Sequence, residues 1–171
     1  MSVLETIKSR RSIRDFQKQD IPAPAIESLV DALRWAPSAG NLQSRRFYFV
    51  FDPVVKQKLA RAALNQDFIA RAPLTVVACI DRRISARYGD RGVNLYSIED
   101  VSASIMSMML AAQELGLGTV WVGAFNEFDV FEILKMPDHL RPIALVPVGY
   151  PSRTPKPAPR LAREELVTVI S

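Results

Sequence analysis

The 171-residue chain holds one histidine, His139, and one cysteine, Cys79. A single copy of each excludes an intramolecular disulfide and a zinc site built from several His or Cys ligands. A hydrolytic triad would have to recruit His139, the only imidazole. No G-x-x-x-x-G-K-[ST] run occurs, so no P-loop cradles a phosphate. Long hydrophobic runs are also missing. The uncharged stretch Val101 to Gln113 is too short to span a bilayer and contains three serines. Met1 to Lys8 has no apolar core of signal-peptide length, so the cytoplasm is the expected location, with no membrane partner. Basic residues exceed acidic ones only by 22 to 18, a formal net charge of +4. A nucleic-acid binder carries a denser basic stripe with exposed aromatics.

What is present is an ordinary globular composition, 49% hydrophobic and 23% charged. The length fits a single domain over 1–171. Cys79 lies inside the apolar run Leu74 to Ile80, which marks a core thiol. His139 follows the turn-like Met136-Pro137-Asp138, which marks a solvated loop.

Ser2-x-x-Glu5 is a capping box opening a short helix that runs out near Arg10. After Pro24, Ile26, Leu29, Val30 and Leu33 repeat at the spacing of one buried helix face, and Pro37 ends that helix. Phe47 to Phe51 reads as a strand, and Asp52-Pro53 as the cap of a helix carrying Leu59 and Leu64. Leu74 to Ile80 reads as a buried strand, and Asp81 to Tyr96 as irregular. Ser97-x-x-Asp100 reads as a cap for a helix to Leu115, stopped by Gly116. Its segment Val101 to Gln113 has no charge on any side, which calls for burial all round or a second subunit. Thr119 to Val122 and Ile143 to Val148 read as strands, with a short helix capped by Asn126 between them. Five prolines between Pro147 and Pro159 point to an extended C-terminal arm. The fold class is α+β, with a central mixed β-sheet flanked by helices.

Two polar features stand out. Lys8, Arg10, Arg11, Arg14 and Lys18 cluster around Ser12, and guanidinium forks with a hydroxyl suit a phosphate. Pro37 to Gln43 offers Ser, Asn and Gln side chains and backbone N–H groups in one loop. Gly116-Leu117-Gly118 is not a dinucleotide fingerprint, because it follows a helix and precedes a strand.

Four collinear motifs resemble the nitroreductase family of FMN-dependent flavoproteins, in its compact subgroup: Arg10-Arg11-Ser12-Ile13-Arg14, Pro37-Ser38-Ala39-Gly40-Asn41-Leu42-Gln43, Asp100 through Gly123, and Gly149-Tyr150-Pro151 with the arm to Arg160. The resemblance implies a homodimer with FMN at the interface. It assigns Arg10, Ser12 and Arg160 to the phosphate with Arg11 beside them, and Arg14 towards the ribityl chain and ring. It draws Pro37, Ser38, Ala39, Asn41 and Gln43 from the other subunit. Asn65 and Gln66 would lie near the flavin pyrimidine, and Val122, Gly123 and Ala124 would present backbone to the ring. No protein side chain is assigned as catalytic, because the flavin carries the chemistry. The implied activity is ping-pong transfer from NADH or NADPH through FMN to a small-molecule acceptor, a nitroaromatic or quinone. Flavin fragmentation, dehalogenation and dehydrogenation occur on the same scaffold and remain alternatives. So do a non-catalytic flavin-binding protein and a basic nucleic-acid-binding protein. One departure is visible: where family members often continue Pro-Trp after the Gln, this chain reads Ser44-Arg45-Arg46. That places extra charge beside the loop.

Overall fold

The computed structural model describes residues 2–170. Four strands, β1 (Arg45–Val50), β2 (Leu74–Asp81), β3 (Gly118–Thr119) and β4 (Leu140–Gly149), form one sheet in the order β1-β2-β4-β3. All three strand pairs are antiparallel, and the parallel component is a bridge between Ser12 and Thr119 at the β3 edge. β2 is central, and its continuous apolar run is explained by burial on both faces.

Alternation along β2 and β4 divides the core in two. Val76, Ala78, Ile80, Ala144 and Val146 face α2 (Ala23–Trp35) and α6 (Ser97–Glu114), packing on Leu29, Leu33, Ile105 and Met108. Val77, Cys79 and Leu145 face the other way, towards α3 (Pro53–Ala62), α4 (Phe68–Arg71) and α7 (Glu127–Ile133), packing on Leu59, Ile69 and Val130. The Ser2 capping box opens α1 (Val3–Ser9), Asp52 caps α3 and Asn126 caps α7, as the sequence predicts. Gly116 ends α6 with φ +75°. There Leu117 N–H donates to Ala112 O (2.8 Å) and Gly116 N–H to Gln113 O (3.2 Å), a Schellman closure.

Several expectations are corrected. Asp81 to Tyr96 is not irregular. It forms a 3-10 turn (Arg82–Ile84), α5 (Ser85–Arg91, kinked at Gly89) and a π-helical stretch (Gly92–Tyr96) running directly into α6. Because the chain is already helical before Ser97, that residue caps nothing. Its hydroxyl donates to Val93 O, and Asp100 turns elsewhere. Leu64 lies past the end of α3, exposed and at φ +58°. β3 stops at Thr119, and Val122 rejoins the sheet only through a bridge to Leu145. Pro147 belongs to β4, so the non-helical segment begins after it; from Ser152 to Ala162 the chain is exposed with no regular structure until α8 (Arg163–Leu166). α6 itself is buried on the sheet side but only half-covered on the other, with Met106 exposed.

Candidate functional site

The basic motif begins where α1 ends. Arg11 donates to Lys8 O (2.7 Å) and Arg10 O (2.9 Å), so its guanidinium caps its own helix. The next residues run along the β3 edge, where Ile13 N–H donates to Thr119 O (2.9 Å). Gly118 makes this approach possible: a Cβ there would stand 2.5 Å from Ile13 Cγ1 and 2.8 Å from its Cβ. Ile13 is buried, and the two-residue period of extended chain turns its neighbours Ser12 and Arg14 the other way. Ser12 and Arg14 line a depression of about 320 Å³ with Asp15, Arg153 and Pro155.

From the sequence, Arg153 counts with Lys156, Arg160 and Arg163 among the basic residues of the C-terminal arm, but it has no assigned place in the site. It arrives because the chain leaving β4 runs back antiparallel to residues 15–17, with a Phe16–Pro151 bridge and Ser152 N–H donating to Asp15 O (3.0 Å). Its guanidinium stands 3.7 Å from the Asp15 carboxylate. Arg160 is exposed, donates to Ala158 O and Pro159 O of its own arm, and is not among the residues that line the depression at Ser12.

A second group continues this surface. The Arg14 guanidinium sits 5.9 Å from the centroid of the Phe68 ring. Phe68 opens α4, immediately after the turn holding Asn65 and Gln66. Gln66 Nε2 donates to Ala63 O (2.9 Å) and Ala124 O (3.2 Å), and Asn126 N–H donates to Ala62 O (2.9 Å). These bonds fasten the turn to the loop Val122-Gly123-Ala124. Asn65 is exposed with φ +59°. Gly123 is exposed, and a Cβ there would meet only Trp121 Nε1, at 3.9 Å. The protein's own packing therefore gives no reason for glycine at 123.

The loop from Pro37 to Gln43 lies elsewhere. It contains a 3-10 turn (Ala39–Asn41), with Gly40, Asn41 and Gln43 at φ +54°, +53° and +52°. Its backbone N–H groups are less available than the sequence implies. Asn41 donates to Ser38 O, Leu42 to Ala39 O, Gln43 to Ser38 Oγ and Ala39 to Asp100 Oδ1. What the loop presents outward is side chain, with Asn41 and Gln43 exposed. It feeds β1, whereas Ser12 pairs with β3, the opposite edge of the sheet. Three strand spacings separate those edges, about 14 Å. One chain therefore presents the two polar features as separate halves.

Arg45 and Arg46 diverge. The Arg45 side chain turns back to the end of α2, donating to Ala36 O (2.7 Å), Pro37 O (3.0 Å) and Arg34 O (3.1 Å), and burial lowers its pKa. Arg46 is exposed. Cys79 is buried, 3.8 Å from Met136 Sδ, and burial pushes its thiol up to about 12. Among the described residues there is no cluster of His, Cys, Asp and Glu able to hold a metal. No helix among the described residues is long and apolar enough to cross a membrane.

A family model described as the nitroreductase family matches residues 7–66 and 52–150. The chain belongs to the nitroreductase family. Among relatives of this nitroreductase-family chain, an FMN reductase (NADPH) of Bacillus subtilis is 30% identical over 177 residues, covering 95% of this chain and 71% of that protein. An oxygen-insensitive NADPH nitroreductase of Salmonella typhimurium is 28% identical, covering 96% and 72%. The NADPH:FMN oxidoreductase of Vibrio harveyi, solved with NAD+, superposes with a TM-score of 0.91 at 28% identity, covering 99% of this chain and 77% of that one. The donors found here fit the nitroreductase cofactor, FMN. Ser12 and Arg14 with Arg153 would suit its phosphate, and the open surface at Gly123 would leave room for its planar ring.

Proposed function

We propose that this nitroreductase-family protein passes electrons from NADH or NADPH through FMN to nitroaromatic or quinone acceptors in a ping-pong cycle. It is an FMN-dependent NAD(P)H oxidoreductase, in keeping with the FMN reductases and NADPH nitroreductase among its relatives. FMN, when bound, supplies the hydride acceptor and donor; the protein supplies position and access. Ser12 and Arg14 hold the phosphate, with Arg153 added from the chain that follows β4, and Arg10 joins them from the same basic motif. The loop Val122 to Ala124, fixed by Gln66, supports the ring, and Gly123 lets its backbone come close. No side-chain nucleophile takes part: the one thiol is buried and held protonated.

The observation that carries this reading is the separation of the two halves on opposite sheet edges. The half with Ser12 and Arg14 is completed by Pro37 to Gln43 of a second copy, related by an axis beside the half-covered face of α6. That makes the functional unit a homodimer, with the exposed segment from Lys156 to Arg160 free to extend across the partner.

The test combines FMN titration, followed by visible absorption, with light scattering. One FMN per chain in a dimer is expected, with rapid reduction by NADH or NADPH and parallel double-reciprocal lines when acceptor and reductant are varied. Flavin binding to a monomer overturns the shared site, and intersecting lines overturn the ping-pong cycle.

A further inference from the structure

Asp100 is an acidic side chain almost fully inside the protein, 5% exposed, in the first turn of α6. Its Oδ1 accepts from Ala39 N–H at 2.8 Å, across 61 residues of sequence. Its Oδ2 is buried with no hydrogen-bond partner among the described residues. Leaving such an oxygen unmatched costs stability, so the residue serves something other than packing. Arg45 works on the same segment from the other side. Its guanidinium donates to the carbonyls of Arg34, Ala36 and Pro37, and its Nη1 also reaches Asp100 O, at 3.4 Å. One arginine thus holds the carbonyls of the segment that enters the loop, and one carboxylate holds its first turned N–H. Gly40, the next residue, has φ +54° and packs against the Tyr88 hydroxyl, where a Cβ would collide.

We propose that Asp100 and Arg45 are positioning residues for the flavin: they clamp the segment from Ala36 to Ala39 so that Ser38, Asn41 and Gln43 are presented in one fixed arrangement before FMN arrives. The inference rests on the loop belonging to the flavin site, as proposed above. The clamp does not touch the cofactor. It removes the freedom the loop would otherwise lose on binding, and preorganisation of that kind appears as affinity. It also explains Ser44-Arg45-Arg46: the charge added at 45 is spent inside the loop's own support rather than in the pocket.

Asp100→Leu keeps the branched heavy-atom shape and removes the acceptor, Asp100→Asn keeps an acceptor oxygen, and Arg45→Lys keeps the charge but cannot span several carbonyls. For each, the dissociation constant of FMN and the melting temperature of the FMN-free protein are measured. Asp100→Leu and Arg45→Lys should weaken FMN binding by about tenfold or more, while Asp100→Asn stays within about threefold of the parent. The FMN-free melting temperatures of the three should lie together. Unchanged FMN affinity in Asp100→Leu overturns the proposal, as does equal weakening in Asp100→Leu and Asp100→Asn. Affinity losses that follow losses of melting temperature also overturn it, because they report a merely structural role. If Asp100→Leu does not fold, Arg45→Lys decides by the same two readings. A parent protein that takes up no FMN would instead refute the flavin site itself.

Discussion

Replacing Gly118 with alanine places a methyl 2.5 Å from Ile13 Cγ1, 2.8 Å from its Cβ and 3.0 Å from its Cγ2. Ordinary carbon contacts lie near 3.5–4.0 Å, so the segment bearing Ile13 must retreat by about 1 Å. Ile13 cannot swing aside, because it is buried against Phe16 and Ala72. Overpacking of this kind costs about 1–3 kcal/mol, and stretching the Ile13–Thr119 hydrogen bond adds up to about 1 kcal/mol. For a chain of this size, about 2 kcal/mol lowers the melting temperature by roughly 4–8 °C. The same retreat drags Ser12 and Arg14 off their positions, and losing one charge-assisted bond to phosphate weakens FMN binding about tenfold or more. Gly123→Ala is the control. Its Cβ meets nothing of its own chain closer than 3.9 Å, so the FMN-free melting temperature should hold while FMN binding falls. The assays are thermal unfolding of the FMN-free protein and flavin titration. A Gly118→Ala protein with the parent's melting temperature and the parent's FMN affinity would refute the reasoning.

Arg14→Ala should weaken FMN binding by about ten- to a hundredfold, and an unchanged affinity in dialysis against excess buffer would remove Arg14 from the site. Cys79→Ala and His139→Gln should keep NAD(P)H-dependent quinone reduction within about threefold; a hundredfold loss with FMN content intact would demand a side-chain acid, base or thiol. Acid should lower thermal stability with a definite sign. Hydrogen bonding to Arg83 holds Asp81 below the usual carboxylate range, and hydrogen bonding to Arg141 does the same for Glu127. Each therefore adds stability above its unfolded value that is lost as pH falls through its folded one. Burial raises Asp100, whose contribution runs the other way and offsets part of the loss. Glu127→Gln should flatten the fall in melting temperature below about pH 4, and an identical profile would refute the assignment.

The elements set by local chemistry were readable from the residues alone. The capping box at Ser2, the caps at Asp52 and Asn126 and the stop at Gly116 are each short-range devices, and each stands where the sequence puts it. The apolar run around Cys79 likewise announced a strand covered on both faces. Ser97-x-x-Asp100 misled because a cap signal says nothing about the chain before it. A π-helical stretch already supplied the carbonyl at Val93, which freed Asp100 for Ala39. That pairing, like the arrival of Arg153 beside Asp15, joins segments far apart in sequence, and no local pattern encodes it. The family motifs gave the polar residues of both loops, but not that Arg11 would turn back on its own helix.

The placement of the two polar loops on opposite edges of the sheet has a genetic consequence for the proposed dimer. A chain damaged at Arg14 and another damaged at Asn41 would each assemble into dimers in which every site carries the same lesion. Mixed together through unfolding and refolding, they form hybrids in which both lesions fall in one site and the other is assembled wholly from undamaged parts. Two inactive alleles would then complement each other at the level of the polypeptide, and the activity regained would measure how freely the subunits exchange.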